Sequence, residues 1–470
     1  MSSSLFKIKS FRGGLSDWSD TGVVGSFKFG SNLDIHRDTD SLTCNQALAD
    51  DLATGTLNGL PLWIVPCSNG NTYFFCEGGR IYKRTSGGVY TLVYTDADGT
   101  ITGACEWGND NGDTFLYWAT ATKLHRMIVA GNWGNDIDKT VNGQSYPKSN
   151  LTSATWHTMK QINGTLLIAN ASKLAMVAWD DSYTTDALSL TPGNLAKCLM
   201  EYSGYAYVGN GRSDSAQNSE MFVWDTAQSL NWNGKNTVPA SVINAMINAE
   251  YPLMQVGTSG KILLADISKY TMPIVEFPGG GSVNPDGVEV DGGLALFGSY
   301  GNGTGKTGIY SYGRKKKNAD PVLNLEYAFD CGEIGSVKKI GSVVLMAYEN
   351  TAGTAWGVKK VSTTLKATGT YQSIDLLFPT SDREPVLTKI RIVTAPLPAS
   401  TSIACYRKMN KTGSFVLCNL EGGGTSFTTT GGQEAWFLVG DKGKITELQL
   451  ILTPSANLAP EVLECQLYFE

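Results

Sequence analysis

A repeated arrangement of apolar and polar positions dominates the sequence: a short apolar or aromatic run, a polar or glycine-containing turn, and a second apolar run. Apolar and polar residues alternate along the runs, and Gly, Asn or Asp occupies many of the turns, so each unit predicts a β-hairpin. The unit occurs seven times, over residues 72–85, 114–129, 165–180, 205–225, 253–267, 294–313 and 343–361.

The spacing of these hairpins indicates the fold. Successive hairpins are 42, 51, 39, 48, 41 and 49 residues apart, a mean of 45, measured between Tyr73, Phe115, Leu166, Tyr205, Leu253, Leu294 and Val343. A four-stranded blade of a β-propeller has this length. We therefore predict an all-β chain with an irregular six- or seven-bladed propeller over residues 1–367. An N-terminal strand is a candidate for closing the ring, which removes exposed sheet edges.

One segment within the propeller departs from the strand pattern. Val242, Ile243, Met246 and Ile247 recur at helical spacing, and Pro239 precedes them. This arrangement predicts one short helix near residues 240–249.

The rhythm changes near residue 368. From there to the C-terminus the sequence contains eight short strand-like runs separated by turn residues, at the spacing typical of a two-sheet fold. Residues 445–452 and 463–470 alternate clearly, which gives each of these strands one apolar face. We therefore predict a β-sandwich over residues 368–470.

Composition agrees with an all-β protein. The 53 Gly suit tight turns, and 20 Tyr, 16 Phe and 11 Trp suit half-buried strands. With 42% hydrophobic and 17% charged residues, the chain is predicted to fold. The 37 basic and 43 acidic residues give a net charge of −6, so any contact with nucleic acid must be local.

The only dense basic run consists of Arg314, Lys315, Lys316 and Lys317. Such a run contacts DNA phosphates if copies of the chain form a ring around a lumen; the alternative is a solvated loop without a ligand. The nearby segment 303–307, Gly-Thr-Gly-Lys-Thr, is similar to the end of a phosphate-binding loop. The first Gly of that motif falls on Tyr300, however, so we interpret the segment as a hairpin turn.

The sequence predicts no cofactor and no metal. The three histidines, His36, His125 and His157, do not cluster with each other or with the nine cysteines, which lack Cys-x-x-Cys spacing. Residues 96–99, Asp-Ala-Asp-Gly, resemble a fragment of a calcium loop but lack its final acidic residue, so they indicate an Asx turn. We interpret His125 and His157 as packed or hydrogen-bonded side chains.

No motif for nucleophilic catalysis is present, and we expect no enzyme activity. Carboxylates near predicted strand ends are the only candidates for glycoside hydrolysis: Glu77, Glu106, Asp180, Asp225 and Asp266. Tryptophans near blade ends either stack on sugar rings or pack between blades: Trp107, Trp118, Trp179, Trp224 and Trp232. The N-terminal residues have no signal-peptide pattern, and no apolar run is long enough to span a membrane, so we expect synthesis in a cytosol.

Residues 9–48 resemble the opening of tail-associated virion proteins of tailed bacteriophages, through Gly13-Gly14-Leu15 and Asn32-Leu33-Asp34. Residues 444–470 are similar to the closing pair of strands in those proteins. The resemblance implies a tail hub or nozzle built from a propeller and a sandwich, located in the virion. It also implies a ring, most often a hexamer, around the DNA exit path.

The partners implied by the resemblance are copies of the chain, other phage tail or portal-adaptor proteins and, non-specifically, packaged DNA. The alternative hypothesis is a tail adhesin that binds glycans or a receptor with its Trp-rich loops and its sandwich.

Overall fold

The computed structural model describes residues 4–16, 24–37, 39–227, 231–266, 273–317, 319–377 and 384–470. Residues 17–23 and 38, which belong to the stretch that resembles phage proteins, therefore lie outside the description. The described chain is built from antiparallel strands with one 3₁₀ turn at Glu77–Gly79, which confirms the all-β prediction. Among these residues, no helix has the length and apolarity needed to cross a membrane.

Seven separate sheets form the blades of a propeller, numbered here along the chain. Blade 1 contains Pro61–Pro66, Thr72–Cys76, Arg80–Arg84 and Tyr90–Thr95. Blade 2 contains Gly103–Gly108, Thr114–Ala119 and Leu124–Ile128. Blade 3 contains Met159–Ile162, Thr165–Asn170, Lys173–Val177 and Tyr183–Ser189. Blade 4 contains Asn194–Tyr202, Tyr205–Arg212, Glu220–Trp224 and Gly234–Thr237. Blade 5 contains Ile243–Asn248, Pro252–Val256, Lys261–Leu264 and Pro273–Glu276. Blade 6 contains Ser282–Asp291, Leu294–Tyr300, Gly308–Gly313 and Val322–Ala328. Blade 7 contains Glu333–Ile340, Val343–Glu349, Trp356–Lys366 and Gln46–Leu57.

The ring is closed by a strand from the N-terminal part of the chain. Gln46–Leu57 pairs with Trp356–Lys366 and so completes blade 7 next to blade 1. The first strands of successive blades contact one another all the way round, including the contact between Glu333–Ile340 and Pro61–Pro66. The propeller prediction is confirmed, and the number of blades is seven.

Each junction between neighbouring blades has its own apolar cluster. A blade is therefore buried on both faces, and burial of this apolar surface stabilises the ring at about 25 cal/mol per Å². Strands buried on both faces read as continuous apolar runs, and several second strands, such as Thr165–Asn170, are buried along their whole length and do not show the predicted alternation.

The short helix predicted near residues 240–249 is wrong, because the first strand of blade 5 occupies Ile243–Asn248. All residues from Ile243 to Ile247 are buried, so their apolar positions reflect packing on both faces of a strand and not one face of a helix. Asn244 is accommodated because its amide donates hydrogen bonds to Gln255 Oε1 at 2.9 Å and to the Gly257 carbonyl at 2.7 Å.

Two further antiparallel sheets form a second body, called here the two-sheet unit. One sheet contains Ser4–Ile8, Leu42–Thr43, Val386–Thr394, Asn419–Leu420, Glu434–Lys442 and Glu461–Phe469. The other contains Phe27–Ser31, Gly369–Ser373, Leu376–Leu377, Ser402–Met409, Val416–Leu417, Ser426–Phe427 and Ile445–Thr453. Buried side chains from both sheets share one apolar cluster, which includes Phe27, Ile390, Leu450 and Leu467.

The boundary predicted for the propeller, residues 1–367, is wrong at its N-terminal end. Ser4–Ile8 pairs with the last strand, Glu461–Phe469, and Phe27–Ser31 pairs with Gly369–Ser373. The sequence gives no local signal for these pairings, because the partners lie hundreds of residues apart. The N-terminal strands belong to the two-sheet unit, and the propeller is inserted between its two halves.

Candidate functional site

The basic run lies on a loop of blade 6, between Gly308–Gly313 and Val322–Ala328. These are the third and fourth strands of the blade, whereas the central channel is surrounded by the first strands. The run therefore lies at the periphery of the propeller and not in its channel. Here it faces the N-terminal segment of the two-sheet unit.

Arg314 has a structural role within this loop. Its guanidinium forms an ion pair with Glu250 of blade 5, with Nε 2.8 Å from Oε1, and donates to the Ala319 carbonyl at 3.1 Å. It also lies 3.2 Å from the Tyr251 hydroxyl. The arginine thus fixes the loop against the neighbouring blade, while the side chains of Lys315, Lys316 and Lys317 are exposed.

A cleft of about 440 Å³ opens beside the loop, and we call it the basic cleft. Its charged and titratable lining consists of Arg12, His36, Asp40, Arg314, Lys315, Lys316 and Asp320. Cations outnumber carboxylates in this lining, although Arg12 pairs with Asp40 at 3.2 Å. Because Arg12 and Arg314 are both paired with carboxylates, Lys315 and Lys316 give the cleft its local basic surface, and ammonium groups attract phosphates.

At the base of the basic cleft, the two-sheet unit contacts blade 6 of the propeller. His36, from the two-sheet unit, lies 3.1 Å from the Ser311 hydroxyl and 3.2 Å from Glu326 Oε1, both on blade 6. Ser311 also donates to Glu326 at 2.6 Å. Burial is the largest single influence and raises the pKa of Glu326, but the hydrogen bond and electrostatic interaction with His36, together with the hydrogen bond from Ser311, lower it by more, and the pKa lies below its usual value.

The central channel contains a second charged group of residues. Two cavities of about 280 and 290 Å³ share the lining residues Lys160, Leu199, Met246, Val288 and Lys338. Lys338 lies 3.1 Å from Asp286 and 3.8 Å from Glu289. Burial lowers the pKa of Lys338, but these two carboxylates reverse the effect and raise it, so the lysine stays charged. The channel therefore holds a paired cation between apolar side chains.

The candidate carboxylates are placed at separate points of the propeller. Glu106 accepts hydrogen bonds from the Ser68 amide at 2.9 Å and hydroxyl at 2.6 Å, and Asp180 accepts the Ser182 amide at 3.0 Å within a turn. Asp225 accepts from Asn233 at 3.0 Å, and the Asp266 carbonyl accepts from Asn236.

Glu77 is the exception among these carboxylates, because it interacts with two acidic residues of blade 7 that the sequence did not single out. Burial, and then the charges of Glu333 and Glu349, raise the pKa of Glu77. Burial also raises the pKa of Glu333, while a hydrogen bond from Asn284 opposes this effect.

Most of the candidate tryptophans pack inside the propeller. Trp107, Trp118 and Trp224 are fully buried, and Trp232 packs on Phe222 at a ring distance of 5.7 Å. Only Trp179 of the five exposes most of its side chain, 59%. The glycine-rich segment 303–307 lies in the hairpin loop between the second and third strands of blade 6, where the Gly305 amide donates to Asp330 at 2.7 Å.

No protein-family model matches the sequence, and the comparison with curated proteins gave no match. Among solved structures, the β-propeller domain of Cps50 (Swd1) from Myceliophteria thermophila is 9% identical, with a TM-score of 0.45 over 65% of this chain and 99% of that chain. Regucalcin, a calcium-binding protein of Agrobacterium tumefaciens, is 13% identical, with a TM-score of 0.36 over 56% and 89%. The Dos1 propeller is 10% identical, with a TM-score of 0.41 over 71% and 82%.

Proposed function

We propose that the chain is a structural component of a phage tail, which assembles with copies of itself, most simply as a hexameric ring, around the DNA exit path. The observation that carries this proposal is the position of exposed aliphatic side chains on the edges of the two-sheet unit. The resemblance of residues 9–48 and 444–470 to tail-associated virion proteins supports the same assignment.

Several strands of the two-sheet unit pair on one side only within the described chain, and Ser4–Ile8 and Val416–Leu417 are two of them. Each of these two carries an exposed aliphatic residue, Leu5 at 44% and Val416 at 51%. An edge strand with free backbone groups and an apolar side chain is a template for pairing with another chain. These edges therefore favour contacts with neighbouring subunits.

Exposed large apolar residues are also more concentrated in the two-sheet unit than in the propeller. Residues 4–44 and 369–470 form less than a third of the chain. Among the described residues they contain Leu5, Val24, Leu377, Val416, Leu438, Leu458 and Leu463, while the longer propeller contains Val89, Leu92, Trp179, Leu195, Tyr205 and Leu365. This uneven distribution favours the two-sheet unit over the propeller as the surface on which subunits meet.

Assembly is tested on the full chain by mass photometry and negative-stain electron microscopy. The expected result is closed rings, and Leu5→Lys with Val416→Lys should leave monomers with an unchanged melting temperature, because charged residues block edge pairing. The matched control, Leu92→Lys, changes an equally exposed aliphatic on the outer strand of blade 1 and should still form rings. A wild-type monomer at all concentrations, or rings in the double variant, would contradict the proposal.

We further propose that Lys315, Lys316 and Lys317 contact phosphates of DNA in the path that the ring surrounds. Replacing these three lysines with Gln, and keeping Arg314 for its ion pair with Glu250, should weaken binding of double-stranded DNA. The slope of log K against log salt should become shallower by about 2 to 3, since each lost phosphate contact contributes about 0.9.

A control variant with the same change in net charge separates this effect from general electrostatics. Lys139, Lys442 and Lys444 are exposed at other points of the surface, and their replacement by Gln should leave the slope close to that of the wild type. If the slope of log K against log salt becomes shallower by the same amount in both triple variants, or changes in neither, the contact with DNA is refuted. The ring remains testable by microscopy.

Trp179 supports a second candidate function, an adhesin that binds glycans. Its exposed indole follows the third strand of blade 3, and exposed aromatic faces stack on sugar rings. Retention of the protein on cell-wall or capsule polysaccharide, lost in Trp179→Ala and kept in Tyr205→Ala, would favour this function over a ring without glycan contacts.

A further inference from the structure

A compact group of side chains of metal-ligating types lies between blades 1 and 2. None of these residues takes part in the assembly or the DNA contact proposed above. Asp96 and Asp98 belong to the loop that joins these blades, and His125 belongs to the third strand of blade 2. His125 Nε2 lies 3.7 Å from Asp96 Oδ2 and 3.5 Å from Asp98 Oδ2. One donor atom from each residue lies within 4.8 Å of the other two.

The imidazole of His125 is held in one orientation. Its Nδ1 lies 2.8 Å from Asp138 Oδ2, so this nitrogen donates its proton to the carboxylate. The ring stacks on Trp118 with a centroid distance of 5.4 Å and an interplanar angle of 9°. A carboxylate on one ring nitrogen is the arrangement that fixes the tautomer of a metal-binding histidine and leaves the other nitrogen with its lone pair.

The other ring nitrogen provides independent evidence for a ligand. His125 is 4% exposed, and its buried Nε2 has no hydrogen-bond partner in the described part of the chain. The two nearest carboxylate oxygens, at 3.5 and 3.7 Å, are too distant for a hydrogen bond. A buried polar atom without a partner destabilises the folded state, and a ligand bound to this nitrogen would remove that cost.

The distances suit an ion placed between the three atoms. Donors bound to a tetrahedral zinc ion at about 2.0 Å lie about 3.3 Å from one another, slightly less than the separations from His125 Nε2. The Asx turn predicted at residues 96–99 is compatible with this position, because the Asp98 amide donates to Asp96 Oδ1 at 2.9 Å and leaves Oδ2 facing His125. Trp118 Nε1 donates to Oδ2 at 2.8 Å and orients the carboxylate.

We propose that Asp96, Asp98 and His125 bind one divalent transition-metal ion, with Zn²⁺ as the best match, and that Asp138 positions His125 for this role. A ligand set with an imidazole favours zinc and similar metals over Ca²⁺ or Mg²⁺, which prefer oxygen ligands alone. Asp98 is partly exposed, so water supplies the fourth ligand from that side. The proposal differs from the expectation of no metal, which was drawn from scattered histidines, because one histidine with two aspartates has no sequence signature.

Lys123 gives the proposal a distinctive consequence. Its ammonium group pairs with both oxygens of Asp98, at 2.7 and 2.9 Å, and so competes with a cation for this carboxylate. Removing the ammonium group with Lys123→Met should therefore strengthen metal binding, by about two- to fivefold if one surface ion pair is relieved. A purely structural role for the cluster predicts no gain from this change.

The test uses the full chain after treatment with a chelator. Titration calorimetry with Zn²⁺ should give one site per chain, and Co²⁺ should give the visible absorption of a tetrahedral nitrogen and oxygen site. Asp98→Asn and His125→Gln should abolish both signals, and Asp138→Asn should weaken the affinity about 10- to 100-fold. The matched control is Asp186→Asn, which removes a carboxylate paired with Lys173 at 2.7 Å and should bind like the wild type.

Two results would overturn the proposal: no stoichiometric binding of Zn²⁺ by the wild type, or equal affinities for the wild type and Asp98→Asn. Because His125 is buried, His125→Gln can fail to fold, but Asp98 is partly exposed and its variant keeps the test decisive. Zinc should also raise the melting temperature of the wild type and Asp186→Asn and leave that of Asp98→Asn unchanged, since only proteins that bind the ion gain stability from it.

Discussion

Arg126 of blade 2 and Asp181 of blade 3 form a completely buried ion pair, with Nη1 2.6 Å from Oδ1 and 2.8 Å from Oδ2. The guanidinium lies between two aromatic rings, 4.2 Å from the centre of Phe115 and 4.1 Å from that of Tyr146. It also donates to the carbonyls of residues 141 and 144, in the chain that follows the third strand of blade 2. This one side chain connects two blades and a long connection.

Breaking this pair should destabilise the propeller strongly. Arg126→Met leaves the Asp181 carboxylate buried without its partner, and the expected loss is about 3–5 kcal/mol in the free energy of unfolding, measured by chemical denaturation. Asp181→Asn keeps a residue that tolerates the positive φ of 69° at this position and should cost a similar amount. The double variant should lose less than the sum of the single variants; strict additivity would mean that the two side chains do not interact.

The pH dependence of stability should depend on His157. Burial lowers the pKa of His157 to about 4, while its usual value in an unfolded chain is about 6.5. The native protein therefore binds the proton less readily than the unfolded chain. The contribution of neutral His157 to the free energy of unfolding is present in full above pH 6.5. It is lost as the pH drops from about 6.5 to 4, which lowers the free energy of unfolding by about 3 kcal/mol in total.

The same range of pH gives the test for His157. The neutral ring accepts a hydrogen bond from the Thr102 hydroxyl at 2.8 Å and donates to the Thr152 carbonyl at 3.0 Å. His157→Gln should lower stability at neutral pH but remove most of the decline between pH 6.5 and 4, as measured by urea denaturation at several pH values. Parallel pH curves for the wild type and the variant would show that His157 does not cause the decline.

Ring closure should be sensitive to a methyl group at Gly335. This glycine lies at a bulge in the first strand of blade 7, and a Cβ there would come within 2.2 Å of the Pro61 carbonyl oxygen in blade 1. Gly335→Ala must push the first and last blades apart, and we expect it to cost about 1–3 kcal/mol. Gly87→Ala is the control, because its Cβ would meet nothing closer than 3.8 Å. Equal melting temperatures for the two variants would contradict this account of closure.

The sequence predicts the propeller well because each blade carries its own signal. All seven predicted hairpins coincide with the second and third strands of a blade, and Tyr73, Leu166 and Val343 each lie in a second strand. The first and fourth strands are less visible. The first strands are interrupted by polar residues that face the channel or, like Asn244, bond within the sheet, and the fourth strands of blades 1 and 3 are half exposed.

The candidate sites were harder to predict, since they depend on contacts between distant parts of the chain. The basic run was recognisable as a run, but its neighbours Arg12 and His36 come from the two-sheet unit, whose N-terminal strands gave no signal of where they pair. Similarly, the proposed metal site depends on the proximity of His125 to Asp96 and Asp98, which lie across the junction between blades 1 and 2. Charge runs and turns are local properties, whereas pairing across the fold is not.

The insertion of the propeller into the two-sheet unit predicts that the unit can fold without it. The two ends of the insertion meet, because the Ala367 amide donates to the Asn45 carbonyl at 3.0 Å. A chain in which a short glycine linker joins residue 45 to residue 367 should therefore show cooperative thermal unfolding by circular dichroism. Residues 369–470 alone should aggregate, because Phe11, Phe27 and Leu33 are missing from the shared core. If the C-terminal fragment folds alone with the same stability, the N-terminal strands are dispensable and the description of one interrupted unit is wrong.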